Sequence, residues 1–251
     1  STPRQRAHRR LVRQRAYLQR RITSVRNKLR HILADYNLDR KDLFTECGRE
    51  YLQTLALEAE DRFVVDQLTD EWEHRMRQRH DVEKRLRQFA VGGSTQEQED
   101  RRRLRTIPGV GEVTTEVLLA ELAGPRRFSS AKQVVAYAGL APGQRESAGK
   151  RKSLSSEKTG SPLLRWVLVQ AAWQLVKRSR KWGLVHASLE SRIGGKKAII
   201  AITRRLLCVA HGLLKNEQDY RESVLEAIPP QAVTPVAKRT RKQRSTPEAI
   251  M

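Results

Sequence analysis

Two glycines two residues apart, Gly109 and Gly111, stand where an apolar helical pattern begins. They belong to the segment Ile107-Pro108-Gly109-Val110-Gly111, and the apolar residues that follow recur at helical spacing. Glycine has no Cβ, so backbone N–H groups at the start of a helix can approach a phosphate group closely, and the helix dipole favours the negative charge. The spacing predicts a phosphate-binding turn. The alternative is a tight connection between two helices that binds no ligand.

Arginines lie on both sides of this turn and favour phosphate binding. Arg101, Arg102 and Arg103 precede the turn, and Arg126 and Arg127 follow the next helix. Clusters of this kind usually contact the nucleic-acid backbone, which positions a protein but carries no base information. We therefore interpret the turn and its flanking helices as a helix-hairpin-helix motif that grips DNA or RNA without reading bases.

The charge of the whole chain also indicates a polyanionic partner. The 251 residues carry a formal net charge of +22, and the isoelectric point is near 10.8. No apolar run approaches the roughly 20 residues of a membrane-spanning helix, and no signal peptide is recognisable. Cys47 and Cys208 lie far apart in sequence, neither has a second cysteine nearby, and both are expected to be free thiols. These features predict a nucleic-acid partner rather than a membrane, and the free thiols indicate a reducing cytoplasm.

Two long helical patterns occupy the first third of the chain. Residues 1–34 contain eleven Lys or Arg and no Asp or Glu. A second pattern extends from Tyr51 to about Phe89, after an irregular connection over 35–48. The apolar seam of the first pattern has the alternating steps of a heptad, at Leu11, Leu18, Ile22, Val25, Leu29 and Ile32. We predict a helical hairpin or coiled coil, within one chain or between chains, whose basic face contacts nucleic acid.

Seven acidic residues lie close enough together for a metal site to be considered. They are Glu58, Glu60, Asp61, Asp66, Asp70, Glu71 and Glu73. The surface of a coiled coil explains them better, because opposite charges four residues apart along a helix pair with each other. No metal site is predicted in this chain.

The remaining sequence predicts a loop, two helical regions and a tail. Residues 143–161 are rich in Gly, Ser and Lys and have no helical period, which is typical of a surface loop. Helical spacing returns around 164–175, where Trp166 and Trp173 are expected in the core. A last helix is predicted over about 195–215, and its basic residues are expected to contact nucleic acid: Lys196, Lys197, Arg204 and Arg205.

A series of short motifs runs through the second half of the chain. In order, they are Phe128-Ser129-Ser130, Ala136-Tyr137-Ala138-Gly139-Leu140-Ala141-Pro142, Ser147-Ala148-Gly149-Lys150, Leu163-Leu164-Arg165 and Gly195-Lys196-Lys197-Ala198. With the glycine pair before it, this series resembles the C-terminal transposase domain of the IS one-ten family of insertion-sequence recombinases, which are related to the Piv and MooV invertases. The resemblance covers about residues 100–220, and the segment 136–142 is its most specific part.

The resemblance implies a serine nucleophile, and the matching position is Ser147. Family members are thought to use this serine to attack DNA and form a covalent phosphoserine link. A hydroxyl needs a base to become a good nucleophile, and no His or Asp lies near Ser147 in sequence, so the fold or another protomer must supply the base. Positive charge for the phosphate would come from Arg145, Lys150, Arg151 and Lys152. The alternatives are a phosphate-binding role for Ser147 and attack by Ser153, Ser155, Ser156 or Ser161.

The resemblance also implies a RuvC-like half that holds Mg²⁺ with an Asp-Glu-Asp-Asp site. Two-metal phosphoryl transfer needs clustered carboxylates, whereas residues 101–218 contain no aspartate. Nothing in this sequence matches the RuvC-like half. The chain is therefore expected to hold no cofactor itself and to be inactive without that half.

The sequence as a whole predicts a mainly α-helical protein, with a long helical hairpin or coiled coil followed by a helix-hairpin-helix transposase domain. The predicted divisions are a basic helical region over 1–91, a linker over 92–100, the transposase domain over 101–220 and a Pro-rich, basic, disordered tail over 221–251. By resemblance, the function is DNA transposition or site-specific recombination by a homodimer or tetramer, guided in some family members by a structured bridge RNA. The resemblance also implies a bacterial protein of the cytoplasm that is associated with the nucleoid. The alternative is a non-catalytic module for nucleic-acid binding and dimerisation.

Overall fold

The described part of the chain is mainly α-helical, which confirms the predicted fold class. A computed structural model describes residues 2–122, 127–141 and 160–222 in full, and the backbone of 144–147 and 150–153. The helices within these ranges are α1 (Pro3–Asp35), α2 (Glu46–Thr54), α3 (Ala59–Val91), α4 (Thr95–Arg105), α5 (Glu112–Leu122), α6 (Ala131–Tyr137), α7 (Pro162–Arg178), α8 (Arg180–Ile193) and α9 (Gly195–Asn216). The strands are β1 (Gln144–Ser147) and β2 (Lys150–Ser153). None of the described helices is both long enough and apolar enough to span a membrane.

The first helix starts with a complete cap. The Thr2 hydroxyl accepts a hydrogen bond from the Gln5 N–H, and the Gln5 side chain accepts one from the Thr2 N–H at 2.9 Å. Pro3 occupies the first turn, where its missing N–H costs nothing. These features fix the start of a helix that continues for 33 residues.

Helices α1 and α3 form an antiparallel pair within the chain. Arg15 of α1 pairs with Glu83 at 2.7 Å, and the later Arg21 pairs with the earlier Glu71 at 3.1 Å, so the two helices run in opposite directions. The buried seam of α1 begins at Val12 and ends at Leu33; the predicted Leu11 and Ile32 are only half-buried. The first turns of α1 pack on α5 and the later turns on α3, so one heptad seam does not describe the buried face of the whole helix.

The second helical pattern is interrupted, contrary to the single predicted run. Helix α2 ends at Thr54, and α3 starts at Ala59 after four extended or turn residues. The Arg62 guanidinium donates to the carbonyl oxygens of Leu52 and Leu55, at 2.9 and 2.6 Å, and so satisfies the end of α2. Acidic residues in the first turn of α3 favour a helix start there because they complement the helix dipole.

The predicted linker over 92–100 is mostly helical. Only residues 92–94 lie between α3 and α4, because the Ser94 hydroxyl caps α4 by accepting from the Glu97 N–H at 3.3 Å. Residues 95–100 therefore form the first part of α4. The chain up to Tyr220 forms one compact unit, and of the predicted tail only Arg221 and Glu222 lie within the described ranges.

Helices α6, α7 and α8 pack around α9. Trp182 of α8 is fully buried there, and its indole N–H donates to the Tyr220 hydroxyl at 2.7 Å. The core positions predicted for Trp166 and Trp173 are wrong: 52% of Trp166 and 38% of Trp173 are exposed. Both lie on α7, whose other face already supplies the aliphatic residues that meet α9.

Candidate nucleic-acid interface

The predicted helix-hairpin-helix consists of α4, the turn 106–111 and α5. Gly109 has φ +87°, a conformation that disfavours any residue with a Cβ. A Cβ at this position would lie 2.8 Å from the Leu175 nitrogen and 3.0 Å from the Ala171 oxygen, both on α7. Gly111 is exposed, and a Cβ there would meet no atom within 4 Å. Gly109 thus allows close packing on α7, and phosphate binding at either glycine stays a prediction.

Gly109→Ala is expected to destabilise the fold by about 2–5 kcal/mol, the sum of a strained backbone and overlap with α7. Urea denaturation followed by helical circular dichroism measures the loss. Gly111→Ala is the matched control, and its free energy of unfolding should change by less than about 1 kcal/mol. Equal midpoints for the two variants would contradict this assignment.

A buried ionic cluster joins α1, α4 and α5. The Glu116 carboxylate accepts hydrogen bonds from Arg101 Nε at 2.8 Å and from His8 Nε2 at 2.8 Å. The three side chains are between 5% and 8% exposed. Burial by itself would raise the pKa of Glu116, but the hydrogen bonds from His8 and Arg101 outweigh it and hold that pKa below its usual value.

This cluster corrects the prediction that Arg101 and Arg103 bind nucleic acid. Arg101 is buried against Glu116, and Arg103 is nearly buried and donates to Asp100 at 3.1 Å. Arg102 is half-exposed, and ion pairs of 2.9 Å join it to Glu99 and to an aspartate near the end of α9. Arg101 and Arg103 were assigned to the interface because they are close to Arg102 in sequence. Adjacent residues of a helix point in different directions, so the three side chains do not share one face.

The other predicted cations have mixed positions. Lys196 and Lys197 are exposed in the first turn of α9, as a nucleic-acid contact requires. Arg127 is exposed and lies over the Tyr137 ring at 4.8 Å. Arg205 is half-buried, and Arg126 lies outside the described residues.

Arg204 donates to the Leu140 carbonyl oxygen, and burial lowers the pKa of its guanidinium. Arg204 therefore stabilises the fold through this hydrogen bond.

Residues 138–141, within the segment 136–142, form a tight elbow after α6. Two arginines hold it through backbone carbonyl oxygens: Arg165 of α7 donates to Ala138 at 3.3 Å, and Arg204 of α9 donates to Leu140. Gly160 returns to the same elbow, where a Cβ would lie 2.2 Å from the Tyr137 oxygen. The described residues on the two sides of 142–159 therefore lie close to each other at this elbow.

Ser147 lies in this segment, at the end of β1. Its backbone pairs with Lys150 in an antiparallel hairpin, and Arg145 pairs with Lys152. Residues 143–161 were predicted to be a loop without regular structure, so the two strands correct that prediction. The side chains of Ser147, Arg145, Lys150, Arg151 and Lys152 lie outside the described part. Among the alternative serines, Ser161 caps α7 by accepting from the Leu164 N–H.

A groove lies between α1, α3, α5 and α7, and the sequence analysis did not anticipate it. Its volume is about 1000 Å³. Val12, Leu86, Val117 and Val167 form apolar walls, and Trp166 lies at its edge. One sequence signal could have indicated the groove. Trp166 is a large apolar residue on a face of α7 that does not pack against α9.

Comparison with known proteins finds a similarity to transposases. Residues 101–186 match the model of the transposase IS116/IS110/IS902 family. Over this segment, the chain is similar to that transposase family. The matched residues contain the last part of α4, the turn 106–111, α5, the elbow, both strands and α7, whereas α1–α3 precede them.

Individual relatives agree with this family. A transposase for insertion sequence element IS1111A from Coxiella burnetii is 27% identical over 208 residues, which is 79% of this chain and 56% of that protein. A pilin gene-inverting protein from Moraxella bovis is 30% identical over 135 residues, 49% of this chain and 39% of that protein. A transposase for insertion sequence element IS1328 from Yersinia enterocolitica is 35% identical over 80 residues, 32% of this chain and 24% of that protein. The chain spans about half the length, or less, of these curated relatives.

Proposed function

We propose that this chain is the nucleic-acid-binding portion of a DNA transposase or site-specific recombinase, and that Ser147 is its nucleophile. The observation that carries the proposal is the transposase family match over 101–186, a range that contains Ser147 and the strand pair to which it belongs. Connections positioned by a helical scaffold are a common place for reacting groups.

The proposed reaction exchanges one phosphate ester for another. The Ser147 Oγ forms a bond to a DNA phosphorus atom as one sugar P–O bond breaks. The Oγ proton passes to a base, and the departing sugar oxygen gains a proton. Attack by the hydroxyl of another DNA end reverses these steps, restores the diester and frees the serine without water or an energy source. Lys150 lies across from Ser147 in the strand register and would favour the charge that develops on phosphate.

The Mg²⁺ implied by the resemblance does not fit the described residues of this chain. They contain no group of three or more His, Cys, Asp or Glu side chains placed to hold a metal ion. The carboxylates of Glu71, Glu73 and Glu83 instead pair with arginines. No step of the proposed reaction is therefore assigned to a metal held by these residues.

The substrate in this proposal is DNA, the further partner is a structured guide RNA, and the assembly is a homodimer or tetramer. Support for nucleic acid comes from the net charge of +22 and from the outer face of α1. That face exposes a line of cations at helical spacing: Arg6, Arg10, Arg13, Arg20 and Lys28. Such a line follows a phosphate backbone without reading bases.

A covalent adduct tests the proposal most directly. The reaction would supply donor and target DNA, Mg²⁺, the RuvC-like half and guide RNA, and protease-resistant DNA–peptide adducts would be mapped by mass spectrometry. An adduct on Ser147 supports the recombinase. Tight DNA binding without an adduct on any serine would instead support the non-catalytic binding and dimerisation module.

Lys196→Gln is expected to weaken DNA binding modestly and to lower the slope of log affinity against log salt by about 0.9, the loss of one phosphate contact. Anisotropy titrations at several salt concentrations measure both quantities. Lys41→Gln removes the same charge from an exposed lysine in the connection between α1 and α2, and it should leave the slope unchanged. Identical slopes for both variants would show that Lys196 makes no contact with the phosphate backbone.

A further inference from the structure

The groove between α1, α3, α5 and α7 combines apolar walls with an exposed aromatic ring. Val12, Leu86, Val117 and Val167 line it, and the volume of about 1000 Å³ is at the top of the range for ligand pockets, about 300–1,000 Å³. Trp166 borders the groove and is 52% exposed. Apolar and aromatic side chains around a groove of this size are typical of a binding site.

The charges around the groove favour an anionic occupant. Arg20 and Arg87 line the groove, are exposed, and form no ion pair within the described part of the chain. Arg15 is neutralised by Glu83, and Glu116 by the buried cluster, so these groups add little net charge. Glu112 is the opposing exposed charge at the rim. Two unpaired cations against one anion leave the rim positive.

The groove is also continuous with the basic face of α1. Arg13 and Arg20 belong both to the groove lining and to the line of exposed cations on α1. Arg13 pairs with Glu121 at 3.0 Å, yet its side chain remains 60% exposed. A strand that follows this line would therefore pass the mouth of the groove.

We propose that the groove receives unpaired nucleobases of the bound nucleic acid, which stack on Trp166 while adjacent phosphates lie near Arg20 and Arg87. This inference rests on the proposed nucleic-acid function. Aromatic rings combined with arginines are the usual means of holding single strands, because every base has a flat π-face. An apolar peptide or a second copy of the chain would gain less from the positive rim.

Trp166→Ala in the full chain is expected to weaken binding of a single-stranded oligothymidine about 5- to 150-fold, which corresponds to the usual contribution of one stacked base. Binding of a blunt duplex without unpaired bases should change less than about twofold. The salt slope should stay the same, because no charge is removed. Trp166→Phe should retain most of the single-strand affinity, whereas Trp166→Leu, which is apolar but cannot stack, should not.

Trp173→Ala is the matched control. Trp173 lies on the same helix, is 38% exposed and contacts the His186 ring away from the groove, so single-strand binding should be unaffected. Circular dichroism would verify that all variants are folded, and light scattering would give their masses.

Each other outcome overturns the proposal. Equal single-strand affinity for Trp166→Ala and the parent chain removes base stacking from the groove. A change of oligomeric mass in Trp166→Ala, with single-strand binding intact, assigns the groove to a second copy of the chain. Failure of the parent chain to bind either probe overturns the nucleic-acid function itself, which separates that failure from the failure of the groove assignment alone.

Discussion

Ser147→Ala is expected to abolish the DNA–protein adduct and to reduce strand exchange by about 10⁴-fold or more, the scale seen when a catalytic nucleophile is removed. DNA affinity should stay within about twofold, because a serine hydroxyl contributes little to backbone binding compared with the many cations of this chain. The measurements are a recombination assay with the complete set of components and a titration of DNA binding. Loss of exchange together with intact binding is the expected pattern.

Ser153→Ala provides the matched control for this experiment. Ser153 lies in the partner strand, opposite Gln144 in the register, and the substitution removes the same hydroxyl from the same hairpin. It should leave both exchange and binding unchanged. If Ser147→Ala recombines normally while Ser153→Ala does not, the nucleophile has been assigned to the wrong strand.

Glu116→Ala is expected to cost about 3–5 kcal/mol of folding free energy, since it leaves Arg101 and His8 buried without their shared acceptor. Chemical denaturation at neutral pH measures this loss. Glu99→Ala is the control: Glu99 pairs with the exposed Arg102, and losing such a surface pair should cost less than about 1 kcal/mol. Similar losses for the two variants would show that the buried cluster is not the main attachment of α1 to α5.

The same cluster gives stability a defined dependence on pH. The folded-state pKa of Glu116 lies below its unfolded value, so its contribution is complete above the unfolded pKa and is lost as the pH falls through the folded pKa. The difference in stability between the parent chain and Glu116→Ala should therefore shrink on acidification. A difference that grows towards acid pH would contradict the assigned direction of this pKa.

The long helices could be predicted because their information is local. Apolar periodicity indicated α1 and α9, and the predicted linker over 92–100 includes the short break before α4, although most of it is helical. The strands could not be predicted in this way, because Gln144–Ser147 and Lys150–Ser153 contain no apolar residue and so lack the alternation that reveals a half-buried strand.

The roles of individual arginines depend on contacts that the sequence does not reveal. Glu116 is 15 residues from Arg101 and 108 residues from His8, so nothing near Arg101 in sequence indicates that it is buried. Trp166 was misplaced for a related reason: helical spacing reports that a residue is apolar, but not whether a neighbouring helix covers it. Ser147 was located through family resemblance and not through spacing, and its role stays a proposal.

Helix α1 also sets a distance within the molecule. It is 33 residues long, or about 50 Å. Its first turns contact α4 and α5 through the buried cluster, and its later turns pack on α3. If DNA lies along α1, the helix matches the length of about 15 base pairs. Inserting one residue would rotate all later cations by about 100°, out of phase with the phosphates. Under this proposal, α1 would tolerate substitutions at many surface positions, but insertions or deletions in it would impair DNA binding.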